Sequence, residues 1–287
     1  MIPSSFEYFA PTTLSEAQTL LRRYGGDAKV VAGGHSLIPL MKMRLSEPGY
    51  LIDLGGVDEL SYIREDDGGL AIGAMTTYYD IESSPLVKTK YPVLAEATAL
   101  VADIQVRNKG TIGGSMAHAD PSADLTAVVL ALEAELRSGS SRAQRSMPAH
   151  RFFVDTFTTT LRDNEILTEI RLPALPAKTG GAYRKFANKA SHFAEVGIAA
   201  LVTIDGGVCQ RVRIGVTGAG PIASRARGAE RALEGKEPTQ RNIATAANRA
   251  GRGIEFQSNI HASAEYRAHL TTVYARRALE EAVSRAG

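Results

Sequence analysis

Helices and strands mixed along one chain, in two domains, is the fold class the sequence predicts. Three observations predict it. An amphipathic stretch at residues 13–24 precedes short apolar runs at 28–32 and 50–54, an early β-α-β unit. Segments flanking Asp66-Asp67-Gly68-Gly69 and Gly206-Gly207 have the pattern of hairpin arms around tight turns. Residues 175–181 are rich in Pro and Gly and divide the chain into expected domains 1–177 and 178–287. At 287 residues the chain is long enough to bury two cores.

Taken in order, the first helix carries Leu14, Ala17, Leu20 and Leu21 at helical spacing. Thr12 or Thr13 with Glu16 predicts a capping box, and Gly25-Gly26 ends the helix. The strand at 28–32 enters a glycine loop, and the strand at 50–54 ends at Gly55-Gly56. Residues 62–64 and 70–72 predict a hairpin, and 77–83 and 93–101 predict helices. A further helix is expected from about Ser122 through Ala134, with Asp120 or Ser122 as its cap. Strands follow at 135–138 and 166–172, the latter closed by Pro173. Beyond the divide the pattern predicts a strand at 182–186, a helix at 194–200 and hairpin arms at 201–205 and 208–216. Helices at 239–251 and 264–285 close the chain.

Composition limits the function classes. Hydrophobic content of 44% and charge of 22% predict a soluble globular protein. The net charge is +2 and the 33 basic residues are dispersed, which argues against nucleic-acid binding. The single cysteine, Cys209, excludes an internal disulfide framework and a four-cysteine iron–sulfur cluster. Any iron–sulfur chemistry must sit on another polypeptide. No secretory signal pattern and no run of about 18 apolar residues is present, so a cytoplasmic chain without a membrane span is expected.

Two glycine-paired loops carry the chemistry. One is Ala32-Gly33-Gly34-His35-Ser36, and the other is Thr111-Ile112-Gly113-Gly114-Ser115. The second leads into Ala119-Asp120-Pro121-Ser122-Ala123-Asp124. Glycine pairs let the chain turn and let a ligand approach the amides. Successive amides with Ser or Thr hydroxyls make anion sites, so the two loops predict one ligand with two phosphates held from both sides. Neither a P-loop nor a Rossmann fingerprint is present. His35 and His118 lack neighbours at ligand spacing, so no metal site is expected. Ser36, His118 and Asp120 lack a nucleophile elbow, and no catalytic acid, base or nucleophile is assigned.

Residues 31–45, Val-Ala-Gly-Gly-His-Ser-Leu-Ile-Pro-Leu-Met-Lys-Met-Arg-Leu, resemble the FAD-binding medium subunit of molybdenum hydroxylases, the xanthine oxidase family. So do residues 105–115, Gln-Val-Arg-Asn-Lys-Gly-Thr-Ile-Gly-Gly-Ser. The resemblance runs nearly end to end and is nearest to the carbon monoxide dehydrogenase type. It implies an α+β FAD-binding domain of the vanillyl-alcohol-oxidase (PCMH) type, followed by a smaller α/β C-terminal domain of the CO dehydrogenase flavoprotein type. It implies that Ala32, Gly33, Gly34, His35 and Ser36 cradle the FAD pyrophosphate from one side. Thr111, Gly113, Gly114 and Ser115 would cradle it from the other. Asp124 matches a position near the adenosine ribose, and Val101 and Leu167 match apolar positions lining the cofactor, although pattern alone makes them ordinary core. Lys185 or Lys189 could bring positive charge near the flavin, the alternative being a solvated lysine. Phe193 stands where relatives often carry Tyr.

The same resemblance implies a large molybdopterin-binding subunit and a small subunit with two clusters of the 2Fe–2S type, as a dimer of heterotrimers. Electrons would pass from those clusters through FAD to an external acceptor. Medium subunits of N-heterocycle (nicotine-like) or aldehyde hydroxylases share the pattern, and a standalone flavin oxidase is a further alternative.

Overall fold

The computed structural model describes residues 2–140 and 142–286. The first helix forms where its spacing predicts it, α1 (Leu14–Tyr24). Thr13 Oγ1 accepts from the Glu16 amide at 3.2 Å, and Glu16 Oε2 accepts from the Thr12 amide at 3.2 Å. Thr13 thus caps the helix, while Glu16 reaches past the cap residue to the preceding amide instead of closing a reciprocal box on Thr13. Gly25, at φ +56°, ends the helix. Strands β1 (Glu7–Phe9), β2 (Ala28–Val31) and β3 (Tyr50–Asp53) pair in parallel in the order β1-β3-β2. Helix α2 (Leu37–Lys42) makes the crossover from β2 to β3. α1 lays Ala17 and Leu21 on one face of this sheet, and α2 lays Met41 on the other against Val31 and Leu51. The loop 32–36 therefore leaves the C-terminal end of a parallel strand, where α/β sheets bind ligands.

A second, antiparallel sheet follows. It comprises β4 (Ile63–Asp66), β5 (Gly69–Gly73), β6 (Glu135–Gly139), β7 (Gln144–Pro148) and, after the short pair β8 (Phe153–Asp155) and β9 (Thr158–Thr159), β10 (Ile166–Leu172). The strand order is β4-β5-β10-β6-β7. Between β5 and β6 run α3 (Tyr78–Ser83), α4 (Pro85–Lys90), α5 (Pro92–Ala99), α6 (Ile104–Arg107), α7 (Ile112–His118) and α8 (Asp124–Ala131). Their apolar sides close the main core over this sheet, with Leu94, Ile112, Met116 and Leu130 against Ile72 and Ile170. The helix expected from Ser122 begins two residues later. Its cap position is Ala123, and Asp120 Oδ1 instead accepts from the Ser122 amide at 2.8 Å, which closes a local turn ahead of the helix.

The third sheet is antiparallel, in the order β11 (Thr179–Ala187), β12 (Ala194–Asp205), β13 (Val208–Thr217) and β14 (Ser224–Arg225). Helices α9 (Arg227–Leu233), α10 (Gln240–Ala247) and α11 (Ala264–Ala286) pack on one face. The β12–β13 turn has Gly206 at φ +58° and Gly207 at +79°, the paired positive values of a tight hairpin turn. The helix expected at 194–200 is the first half of β12. Val196, Ile198 and Ala200 face the C-terminal helices, whereas Ala199 and Leu201 join the main core. A strand covered on both sides has no polar alternation to betray its period. This sheet is thus the wall between the two cores.

Candidate cofactor-binding site

The two glycine loops meet in space. A Cβ built on Gly33 would run into the Lys109 carbonyl and lie 2.7 Å from Gly110 Cα, so the first loop rests backbone to backbone on the entrance of the second. Gly34 has φ +74°, a conformation that favours glycine. Gly113 abuts Ala74, with 2.8 Å between its virtual Cβ and Ala74 Cα. A Cβ on Gly114 would stand 2.8 Å from Thr111 Oγ1 and 3.5 Å from Ala32 Cβ, so Gly114 faces the first loop.

The loops differ in what they offer. Among the described residues, no group accepts from the amides of Gly33, Gly34, His35 or Ser36. Four consecutive open donors beside the Ser36 hydroxyl fit a dianionic pyrophosphate. The second loop is not a matching set of open amides, as its sequence suggested. Ile112 donates to Thr76 O at 3.1 Å, Gly113 to Ala74 O at 2.9 Å, Gly114 to Thr111 Oγ1 at 3.0 Å and Ser115 to Thr111 O at 3.1 Å. Two of these amides are spent on the segment beneath the loop and two on Thr111 of the loop itself, which leaves the Thr111 and Ser115 hydroxyls and a close backbone surface to offer a ligand. The buried Tyr78 phenol lies alongside. Burial pushes it up to about 12, the Ser115 hydroxyl opposes that, and the charges of Asp124 and Asp120 add to it.

Behind the second loop sits a buried polar cluster. Tyr183 Oη donates to Asp124 Oδ1 at 2.6 Å, and Lys185 Nζ lies 3.0 Å from the same oxygen and 3.1 Å from Oδ2. Lys185 also donates to Leu100 O at 2.8 Å and His192 O at 2.7 Å. Only 4% of the Asp124 side chain and 6% of that of Lys185 are exposed, so Lys185 is no solvated surface lysine. Burial pushes the Asp124 carboxyl up, against the pull of Lys185 and Tyr183. The positive charge expected near the cofactor is thereby paired with a carboxylate rather than left single.

Val101 follows Leu100 in the same turn and packs half-buried on the main core, and Leu167 lies within that core. Arg107 holds the turn by donating to Val101 O at 3.0 Å. His35 and Lys189 are exposed, and Phe193 is 46% exposed on the loop whose His192 carbonyl anchors Lys185. The His118 ring lies tilted by 40° against Phe157, with 5.0 Å between centroids. Among the described residues, no group of three or more metal-ligand side chains occurs, and no helix is long and apolar enough to cross a membrane.

Sequence reasoning missed Tyr183. Strand alternation puts Tyr183 and Lys185 on one face of β11, a signal present in the predicted strand at 182–186. It also missed Gly197, where a Cβ would collide with the Tyr183 phenol oxygen.

Residues 4–175 match the family described as the FAD binding domain in molybdopterin dehydrogenase, and residues 181–282 match the CO dehydrogenase flavoprotein C-terminal domain. The chain is 41% identical to the carbon monoxide dehydrogenase medium chain of Hydrogenophaga pseudoflava, over 99% of both chains. It is 38% identical to the 6-hydroxypseudooxynicotine dehydrogenase complex subunit alpha of Paenarthrobacter nicotinovorans, covering 100% of this chain and 97% of that one. Among solved structures it is similar to carbon monoxide dehydrogenase from H. pseudoflava lacking the Mo-pyranopterin moiety, with TM-score 0.97, 43% identity and 99% of each chain covered. It is also similar to quinoline 2-oxidoreductase from Pseudomonas putida 86, with TM-score 0.94, 35% identity and coverage of 100% and 99%. With both halves matched in order and the likeness running over the full length, the chain belongs to the FAD-binding medium subunits of the molybdenum hydroxylases.

Proposed function

We propose that this chain is the FAD-bearing electron-transfer subunit of a heteromeric molybdenum hydroxylase of the carbon monoxide dehydrogenase type. The observation that carries the reading is the row of four unpartnered amides at 33–36, held against the second glycine loop. When bound, FAD supplies a carrier that takes electrons from iron–sulfur clusters and delivers them to an external acceptor. Ala32 to Ser36 would grip the pyrophosphate through their amides, and Thr111 and Ser115 through their hydroxyls. Gly113 and Gly114 let the second loop lie close. Asp124 would face the ribose through Oδ2, because Tyr183 and Lys185 both occupy Oδ1 while Oδ2 meets Lys185 alone and keeps one lone pair. Val101 and Leu167 would line the apolar part, and Lys185, 3.0 Å from Asp124, would bring its charge to the same part of the cofactor as that carboxylate. The domain boundary is set at 177/178.

The chain has one cysteine, so the clusters belong on a small partner subunit, and hydroxylation belongs on a large molybdopterin-binding partner. Assembly as a dimer of heterotrimers in the cytoplasm completes the proposal. A medium subunit of an N-heterocycle hydroxylase is the second reading, favoured by the similarity to the pseudooxynicotine and quinoline enzymes. The test is anaerobic bleaching of the flavin band. Isolated protein should be bleached by dithionite and not by carbon monoxide, aldehydes or N-heterocycles. With large and small subunits added, one of these should bleach it. Rapid bleaching of the isolated chain by an organic substrate would instead mark a standalone flavin oxidase.

A further inference from the structure

We infer that Tyr183 is a positioning residue for the cofactor: through Asp124 its phenol fixes the Lys185 ammonium at the junction of three segments that frame the site. The inference rests on the proposed FAD reading and extends it to a residue outside the loops.

The three acceptors of Lys185 come from three places. Asp124 opens α8, Leu100 ends the turn after α5, and His192 belongs to the loop between β11 and β12. An ammonium has three hydrogens, so this set saturates Lys185 and locks its direction. Each partner then moves only if the others do. The Leu100 carbonyl adjoins Val101, and the His192 carbonyl adjoins Phe193, so the tie sets the spacing between a candidate cofactor-lining residue and the loop that carries Phe193.

Asp124 is the weak member of this arrangement. A carboxylate so deeply buried needs more than one donor to stay ionised. Tyr183 supplies the second donor at 2.6 Å from β11, two residues before Lys185 and on the same face. Burial, then the Asp124 charge, hold that phenol well above its ordinary value, so it remains the donor. The protein also makes room for it. Gly197, the register partner of Lys185, is bare where a Cβ would strike the phenol oxygen and stand 2.8 Å from Thr217 Cγ2. Thr217 Oγ1 in turn donates to Pro121 O at 2.6 Å and Ala123 O at 2.9 Å, which steadies the start of α8.

The test is Tyr183→Phe in the full chain, which keeps the ring and deletes the oxygen. Apoprotein is titrated with FAD, and the midpoint potential of the bound flavin is measured. FAD affinity should fall about tenfold or more, as expected for one lost hydrogen bond to a charged group, and the potential should shift. A purely structural tyrosine would lower the melting temperature and leave the potential unchanged. Asp124→Asn is the second variant. It still accepts from Tyr183 but no longer pairs in charge with Lys185, and it should change the same two quantities. Because both substitutions loosen one tie, their effects in the double variant should be less than additive. Wild-type affinity and potential in Tyr183→Phe, or additive effects, would overturn the inference while leaving the FAD reading intact. Wild-type protein that takes up no FAD would overturn both.

Discussion

Replacing Gly33 by alanine adds one methyl group at the point where the two loops touch. That methyl would meet the Lys109 carbonyl and stand 2.7 Å from Gly110 Cα. Carbon atoms pack at about 3.5–4.0 Å, so the loops must part by about 1 Å, and both obstacles are backbone with no rotamer to yield. Overpacking of this kind costs about 1–3 kcal/mol, against about 0.4–1 kcal/mol regained because alanine restricts the unfolded chain. Apoprotein should therefore melt only a few degrees lower, at about 2–4 °C per kcal/mol. Cofactor binding should suffer more. Hydrogen bonds weaken beyond about 3.2 Å, and each bond to a charged group is worth about 1.5–3 kcal/mol. If two of the four amides at 33–36 lose reach, binding weakens by about 3–6 kcal/mol, or about a hundredfold to ten-thousandfold in Kd. The assay is reconstitution of apoprotein with FAD, followed by quenching of flavin fluorescence, beside a thermal melt of the apoprotein. A variant destabilised as expected that bound FAD with wild-type affinity would refute the claim that loop apposition positions the amides.

Gly114→Val should lower the melting temperature by displacing the Thr111 hydroxyl that caps α7, worth about 1 kcal/mol, and should sharply reduce the flavin-to-protein ratio on purification. Full flavin occupancy with a lowered melting point would make this loop structural only. Glu133 concerns stability rather than binding. Burial works to raise its carboxyl, but the guanidiniums of Arg211, Arg225 and Arg213 overcome that and hold it at about 2, from 4.5. A depressed carboxylate stabilises the fold above its unfolded value and loses that contribution as pH falls toward its folded value. Glu133→Gln should therefore be less stable than wild type at neutral pH and converge with it between pH 4.5 and about 2, followed by melts across that range. Parallel melting curves throughout would show that the arginines do not hold its charge.

Local chemistry was legible in the sequence where it acts over a few residues. The Thr13 cap and the Gly206-Gly207 turn depend on neighbours close in the chain, and residue type reports them, whereas of the parallel β2-α2-β3 unit the two strands were readable and the short helix between them was not. The stretch 194–200 did not report its state, because a strand buried on both faces carries no alternation and its alanines suit a helix equally well. The second loop misled in a different way. Gly-Gly-Ser looks like a row of open amides until Ala74, far off in sequence, is seen to accept from Gly113, and Thr111 from Gly114 and Ser115. Tyr183 was readable as sharing a face with Lys185, yet only the tertiary fold brings Asp124 to both.

The four loop glycines make one point about such motifs. Gly33 is required by a backbone contact, Gly34 by its positive φ, Gly113 by packing on Ala74 and Gly114 by the space before its own helix cap. None of the four is required by a ligand alone, so a glycine pair marks a place where chain must approach chain. What converts that approach into a binding site is the difference between the loops. One has its amides satisfied by the protein and is rigid, and the other has its amides open and rests on the first. A flexible open loop would lose entropy on gripping a pyrophosphate, whereas one already seated on a rigid neighbour loses less. The buried charge pair behind the second loop is built differently, from members on α8 and β11, on opposite sides of the expected domain boundary. In the proposed site, affinity would come from the N-terminal loops, while the Asp124–Lys185 pair would make the two halves of the chain share the wall beside the cofactor.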